Sequence, residues 1–199
     1  MIKKNEKEKH GMSRREFIKA TSTASLVAAI SGTGVLFASG SDKIRVGLIG
    51  CGSRGTDAAI DCVTSSPNIV IRAMADLFQD HLDSSLKKLQ GTLTQENIAV
   101  SEDTCFIGFD AYKKVLACDL DLVILAAPPH FRPEHLRAAV EAGKHIFMEK
   151  PVAVDPVGVR LILISSELAE KKGLAVVAGT QRRHQAHYVE IMKRVGNGD

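Results

Sequence analysis

The chain of 199 residues contains no tryptophan and two tyrosines, and aromatics of all kinds make up 5% of it. A surface that reads nucleic acid by stacking its bases needs aromatic rings set among basic side chains. This sequence has neither in quantity. Its formal net charge of +3 overstates the basic bias, because residues 1–19 hold seven Lys or Arg against Glu6, Glu8 and Glu16 and the remainder carries −1. A nucleic-acid partner held by charge is thereby excluded. Cysteine is scarce as well: Cys51, Cys62, Cys105 and Cys118 stand far apart, with no C-x-x-C pair and no histidine at metal-ligand spacing. That pattern offers no zinc site; small unbridged thiols are the expectation.

What is present begins with a head unlike the rest. A polar, basic stretch reaches Ser13-Arg14-Arg15-Glu16-Phe17-Ile18-Lys19, and an apolar run rich in Ala, Ser, Thr and Gly follows from Ala20 to Ala38. Basic start, apolar centre and small-residue end are the parts of an export signal. The paired arginines, with Phe and Lys in order after them, resemble a twin-arginine signal. That resemblance implies a twin-arginine translocase as a transient partner and a periplasmic or otherwise exported destination. Thr21, Ser22, Thr23, Ser25 and Ser31 dilute the apolar run, so it makes a weaker membrane span than a Leu-rich helix. Retention as a membrane anchor is the alternative to cleavage, for which Ala38-Ser39-Gly40 offers only an approximate site.

After residues 1–40 the pattern changes to short apolar runs alternating with amphipathic ones. Ile44 to Ile49, Ile69 to Ala75, Leu122 to Ala126, His145 to Met148 and Leu174 to Ala178 have strand length and β-branched content. A shorter strand is expected at Cys105 to Ile107. Between them, Thr56 to Ser65, Asp80 to Gln90, Asp110 to Ala117, Pro133 to Ala142 and Asp155 to Lys172 read as helices, three of them closed by Gly91, Gly143 and Gly173. Strict alternation predicts right-handed crossovers and an α/β, doubly wound parallel sheet. The expected domain runs from 43 to 180, with 181–199 opening a second one.

Gly50-Cys51-Gly52-Ser53-Arg54-Gly55 is a G-x-G-x-x-G that directly follows the first strand and opens a helix, and Asp76 ends the next strand. That order is the dinucleotide-binding arrangement. Gly50 permits the tight turn, Gly52 lets backbone approach a pyrophosphate, and Gly55 lets helix pack on strand. The unpaired amides at the helix start hold the phosphates. Asp76 is expected to accept the adenosine ribose hydroxyls and to repel a 2′-phosphate, favouring NAD as cofactor over NADP.

In an open parallel sheet the ligand lies beyond the carboxyl ends of the strands. Three segments stand there: Ala127-Pro128-Pro129-His130, Glu149-Lys150-Pro151, and Gly179-Thr180-Gln181-Arg182-Arg183-His184. The phosphate loop, the run Ala142-Gly143-Lys144-His145 and the following Glu149-Lys150-Pro151 together resemble the glucose-fructose oxidoreductase and inositol dehydrogenase (Gfo/Idh/MocA) family. The resemblance spans Ile44 to about His184. It implies a Rossmann domain that binds NAD(P), followed by an α/β domain carrying the substrate site, and oxidation or reduction of a secondary alcohol on a sugar or polyol. It further implies that Lys150 lies near nicotinamide and reacting hydroxyl, that Glu149 contacts the nicotinamide-side ribose, and that Pro151 follows a cis bond. A lysine amine held beside the nicotinamide and the reacting hydroxyl suits proton transfer there.

Arg132 stands where many relatives have a histidine, and His130 lies nearer the strand; both departures leave the usual histidine role without an owner. Ala127, Pro128 and His130 are candidates for cofactor contact, and Arg182, Arg183 and His184 for the substrate cleft. The chain stops at Gly196-Asn197-Gly198-Asp199, before the family's catalytic His and Asp and before the sheet through which relatives form homo-oligomers. A fragment that binds cofactor without turnover is the expectation. Two alternatives accompany the oxidoreductase: an NAD-dependent glycosidase or lyase that oxidises its sugar transiently, and a nucleotide-binding scaffold without chemistry.

Overall fold

The computed structural model describes residues 43–198. The expected twin-arginine signal, residues 1–40, lies outside the described residues. Six strands, β1 (Ile44–Ile49), β2 (Ile69–Asp76), β3 (Cys105–Ile107), β4 (Leu122–Leu125), β5 (His145–Glu149) and β6 (Val176–Gly179), form one sheet in the order β3-β2-β1-β4-β5-β6. Every neighbouring pair is parallel. Six α-helices accompany them: α1 (Ser53–Ser65), α2 (Gln79–Thr92), α3 (Ala111–Ala117), α4 (Arg132–Glu141), α5 (Pro156–Lys171) and α6 (Ala186–Asn197).

The sheet is apolar on both faces because both carry helices. On one face Val46, Leu48 and Ile71 pack with Ala59 of α1 and Leu82 and Leu89 of α2. On the other, Ile49, Val123 and Leu125 pack with Val115 of α3, Leu136 of α4 and Ile162 of α5. Adjacent strand residues thus enter opposite cores, and the strands read as largely apolar runs, interrupted by Arg45 in β1 and Arg72 in β2. Truncating any fully enclosed Leu here, Leu48 for example, costs about 2–5 kcal/mol.

Most boundaries fall within two residues of the pattern in the sequence. Gly143 and Gly173 follow α4 and α5 with φ of 70° and 69°, the left-handed turn that ends a helix. Gly91 differs: it lies inside α2, which continues to Thr92. α1 begins at Ser53 rather than Thr56, because Gly52 serves as its N-cap without a side chain. β6 starts at Val176, two residues later than the apolar run suggests, since Gly173 N and Leu174 N bond back to Glu170 O and Ala169 O of α5. The four cysteines are free. Among the described residues no helix is long and apolar enough to cross a membrane.

The strand order fixes where a ligand can sit. From β1 the chain proceeds outward to β2 and β3, then returns to β4 on the other side of β1. Their connections leave in opposite directions and open a crevice at the carboxyl ends of β1 and β4.

Candidate cofactor site

The loop after β1 is bent by Gly50, whose φ is 100°. A Cβ there would stand 2.3 Å from Ala127 N, so the turn also lies tight against the strand-end loop of β4. At Gly55 a Cβ would meet Gly50 O at 1.9 Å and Ala126 Cβ at 3.0 Å. Gly52 is the opposite case: nothing lies within 4 Å of its missing Cβ. The first two glycines are demanded by packing and the third leaves room.

That room faces the start of α1. Gly52 offers no side-chain cap and the first turn contains no acidic residue, while Thr56 N is the first amide to find a helical partner, Gly52 O at 3.0 Å. The orphan amides and the positive helix end therefore have no internal counter-charge. Arg54 adds a cation at the rim. This donor set fits a diphosphate.

Asp76 is held in place rather than free. Its Oδ2 accepts the Cys51 amide at 2.6 Å and its Oδ1 the Phe78 amide at 3.0 Å, and the side chain is 9% exposed. Two remaining lone-pair directions of the carboxylate can take ribose hydroxyls. Cys51 itself is buried, with its thiol on Ala75 O at 3.4 Å. Burial, then the neighbouring Asp76 charge, pushes the thiol far above the ordinary range, so Cys51 contributes its amide and no nucleophile.

These groups open on a cleft of about 400 Å³ that also takes in Ala127, Pro128, Glu149 and Lys150. Ala126 N and Ala127 N donate to Ile49 O at 2.8 and 3.1 Å, which ties the β4 loop to β1. The Lys150–Pro151 peptide is cis. Glu149 is 3% exposed and its carboxylate is engaged: Arg54 Nε donates to Oε1 at 2.7 Å, and Gln181 Nε2 donates to Oε1 and Oε2 at 2.8 and 3.0 Å. Arg54 thus connects the phosphate loop to the end of β5. Gly179 makes the space, since a Cβ there would lie 2.9 Å from Glu149 Oε1.

Other candidates are dispersed. His130 is exposed and meets Phe131 edge-on at 5.3 Å. Arg182 and Arg183 lie in a short 3-10 turn after β6 and, with Arg54, Lys150 and His187, line an open basic depression beside the cleft. His184 lines a separate apolar groove with α1 residues and β4 to β6.

Two features of the cleft are not legible in residue spacing. The first is Arg132, which is 3% exposed and donates to both Ala127 O and Pro151 O, clamping the loops after β4 and β5 together. Burial pulls its guanidinium below the ordinary value, although it stays charged. The signal for it was the substitution at the expected histidine position. The second is an aromatic row under the cleft, in which Tyr112, His135 and Phe131 stack at 4.3 and 6.0 Å between centroids. No spacing rule links α3 and α4 across 22 residues.

His135 is 7% exposed and its Nδ1 has no partner. Burial chiefly, aided by Arg132, lowers its pKa to about 4. The unfolded chain takes up that proton at about pH 6.5, so stability falls as pH drops from there to about 4 and levels off below, by up to about 3 kcal/mol. Urea unfolding across this range checks it: His135→Phe should show a markedly shallower acid loss than the parent, and parallel curves would contradict the assignment.

A family model described as an oxidoreductase family with an NAD-binding Rossmann fold matches residues 44–180. Inositol 2-dehydrogenase 4 of Saccharopolyspora erythraea is 27% identical over 156 residues, which are 78% of this chain and 42% of that protein. A glycosyl hydrolase family 109 protein of Streptomyces coelicolor is 31% identical over 113 residues, 56% of this chain and 23% of that one. Among solved structures, apo scyllo-inositol dehydrogenase from Lactobacillus casei superposes with a TM-score of 0.59 at 25% identity, covering 78% of this chain and 42% of that one. The chain thus spans less than half the length of these relatives. Its six-stranded parallel sheet, its glycine turn at the switch point and the match over 44–180 agree: the chain belongs to the Gfo/Idh/MocA oxidoreductase family and carries that family's NAD-binding Rossmann fold.

Proposed function

We propose that the full-length protein is an exported NAD-dependent oxidoreductase that moves a hydride between the nicotinamide and a secondary alcohol of a sugar or polyol. The observation that carries this is the placement of Lys150, which lines both the dinucleotide cleft and the open basic depression beside it. A side chain on that boundary reaches a cofactor on one side and a substrate on the other. NAD, when bound, would supply the hydride acceptor. Lys150 Nζ holds the hydroxyl oxygen and relays its proton to solvent. Glu149, fixed by Arg54 and Gln181, keeps the segment before Lys150 in register, and Arg132 holds the cleft loops on either side of it. Arg182 and Arg183 contact substrate oxygens from the depression; His184, on the separate groove, is the least suited of the three.

Asp76 favours NAD, since a 2′-phosphate would be set against a carboxylate that has only two amides and, at 3.4 Å, His81 Nδ1 about it. Similarity to inositol dehydrogenases supports a polyol or sugar as substrate. Addition of such alcohols to the full-length protein, followed as single-turnover reduction of its bound NAD, tests the activity; a panel of cyclitols and aldoses that reduces none of it contradicts it.

Export rests on Ser13-Arg14-Arg15-Glu16-Phe17-Ile18-Lys19. Free NAD is scarce outside the cytoplasm, so the cofactor is loaded before translocation, held tightly, and recycled by alternating oxidation and reduction of sugars. Denaturing protein purified from the periplasm should release close to one nicotinamide per chain, and its absence would count against loading before export. A second reading, transient oxidation within a net glycosidic cleavage, draws on the glycosyl hydrolase relative. Product analysis separates them: net ketone for the oxidoreductase, released aglycone for the glycosidase.

A further inference from the structure

The open depression beside the cleft is lined by charge of one sign. Arg54, Lys150, Arg182, Arg183 and His187 border it, and no acid among the described residues does. Arg54 is partly answered, with its Nε on Glu149 at 2.7 Å and Nη1 3.8 Å from Asp61 Oδ2. Lys150, Arg182 and Arg183 pair with no carboxylate among the described residues. The one acid close by, Glu149, is buried and already takes Arg54 and Gln181. Cations gathered without counter-charge repel one another. A concave lining of this kind attracts an anion and holds it by charge-assisted hydrogen bonds.

The two arginines are carried on a fixed turn. Arg183 N and His184 N donate to Thr180 O and Gln181 O at 3.0 and 2.9 Å, and Gln181 Nε2 ties the turn to Glu149 at the end of β5. The Arg182 guanidinium lies over the Tyr188 ring of α6 at 5.5 Å, a cation–π contact that limits its swing. Lys150 follows Glu149 directly, so the turn and the lysine are anchored to the same carboxylate.

Resting on the assignment of Lys150 to the reacting hydroxyl, we propose that the substrate is an acidic sugar or polyol, whose carboxylate or phosphate ester is held by Arg182 and Arg183 while its secondary alcohol meets Lys150. A guanidinium fork matches either oxyanion two oxygens at a time. The uncharged counterpart of the same ring leaves both arginine charges unanswered, so the lining discriminates between the two.

The test is calorimetric titration of the full-length protein saturated with NAD, so that the helix-start amides are occupied and cannot take the probe. Glucuronate and glucose 6-phosphate are compared with glucose, and galacturonate and galactose 6-phosphate with galactose. An acid should bind at least about tenfold more tightly than its neutral sugar, and the tighter of uronate and phosphate identifies the source of the anion. Raising the salt concentration about tenfold should weaken the acid severalfold and leave the neutral sugar unchanged. Arg182→Gln with Arg183→Gln should abolish the preference. Arg182→Lys with Arg183→Lys, which keeps the charges, should retain most of it, and NAD titration checks that both variants are folded. Equal affinity for acids and neutral sugars, or a preference that survives the glutamine pair, overturns the acidic substrate. Acids that bind with this pattern yet never reduce the bound NAD would keep the anion site and overturn the redox reading on which its role rests.

Discussion

Replacing Lys150 by alanine in the full-length protein is expected to lower kcat by about two to four orders of magnitude while NAD affinity changes little. The separation follows from position. The cleft is built by the glycine turn, Asp76 and the loops that Arg132 clamps, and none of these leans on the Lys150 side chain, which is exposed and engages no acid among the described residues. What is lost is a group that orients a hydroxyl and takes part in its proton transfer. Unaltered turnover in Lys150→Ala would remove the residue from the chemistry and favour the scaffold reading, in which the cleft binds nucleotide without reaction.

Gly55→Ala should produce a large structural effect for a single methyl. Its Cβ would stand 1.9 Å from Gly50 O, a backbone atom already fixed by a turn whose own Cβ space is filled by Ala127. Neither side can yield by rotating a side chain, so α1 must lift from β1, at about 3 kcal/mol or more. The helix-start amides move with it, and NAD affinity falls by at least about a hundredfold. Gly91→Ala is the matched control: it lies inside α2 with nothing within 4 Å, and there an alanine gains about 0.5–1 kcal/mol. Urea unfolding and NAD titration of both variants measure the contrast; equal stabilities would mean that the close approach of α1 to β1 is not needed.

Much of this architecture could be read in the residues because the signals are local. Strands buried on both faces leave unbroken apolar runs such as residues 46–49 and Leu122–Leu125, and the G-x-G-x-x-G sits where strand gives way to helix. The glycine roles follow from steric demands that any such turn imposes. What escaped reading depends on contacts between distant segments. Arg132 looks like a surface cation until the carbonyls of Ala127 and Pro151 converge on it. Gly179 looks like a strand-ending glycine until Glu149 swings beneath it. Gly91 misleads in the other direction: a glycine after a helical run reads as a stop, yet nothing downstream competes for the last turn and α2 carries on through it.

Cofactor binding depends most on a diphosphate lying against the start of α1 with its adenosine ribose on Asp76. Calorimetric titration of NAD and NADP into the 199-residue chain and into Asp76→Ala addresses both halves at once. One NAD per parent chain is expected, with NADP at least about tenfold weaker, and the substitution should weaken NAD and narrow that preference. Equal affinity for the two dinucleotides in the parent, or no heat with either, would contradict it.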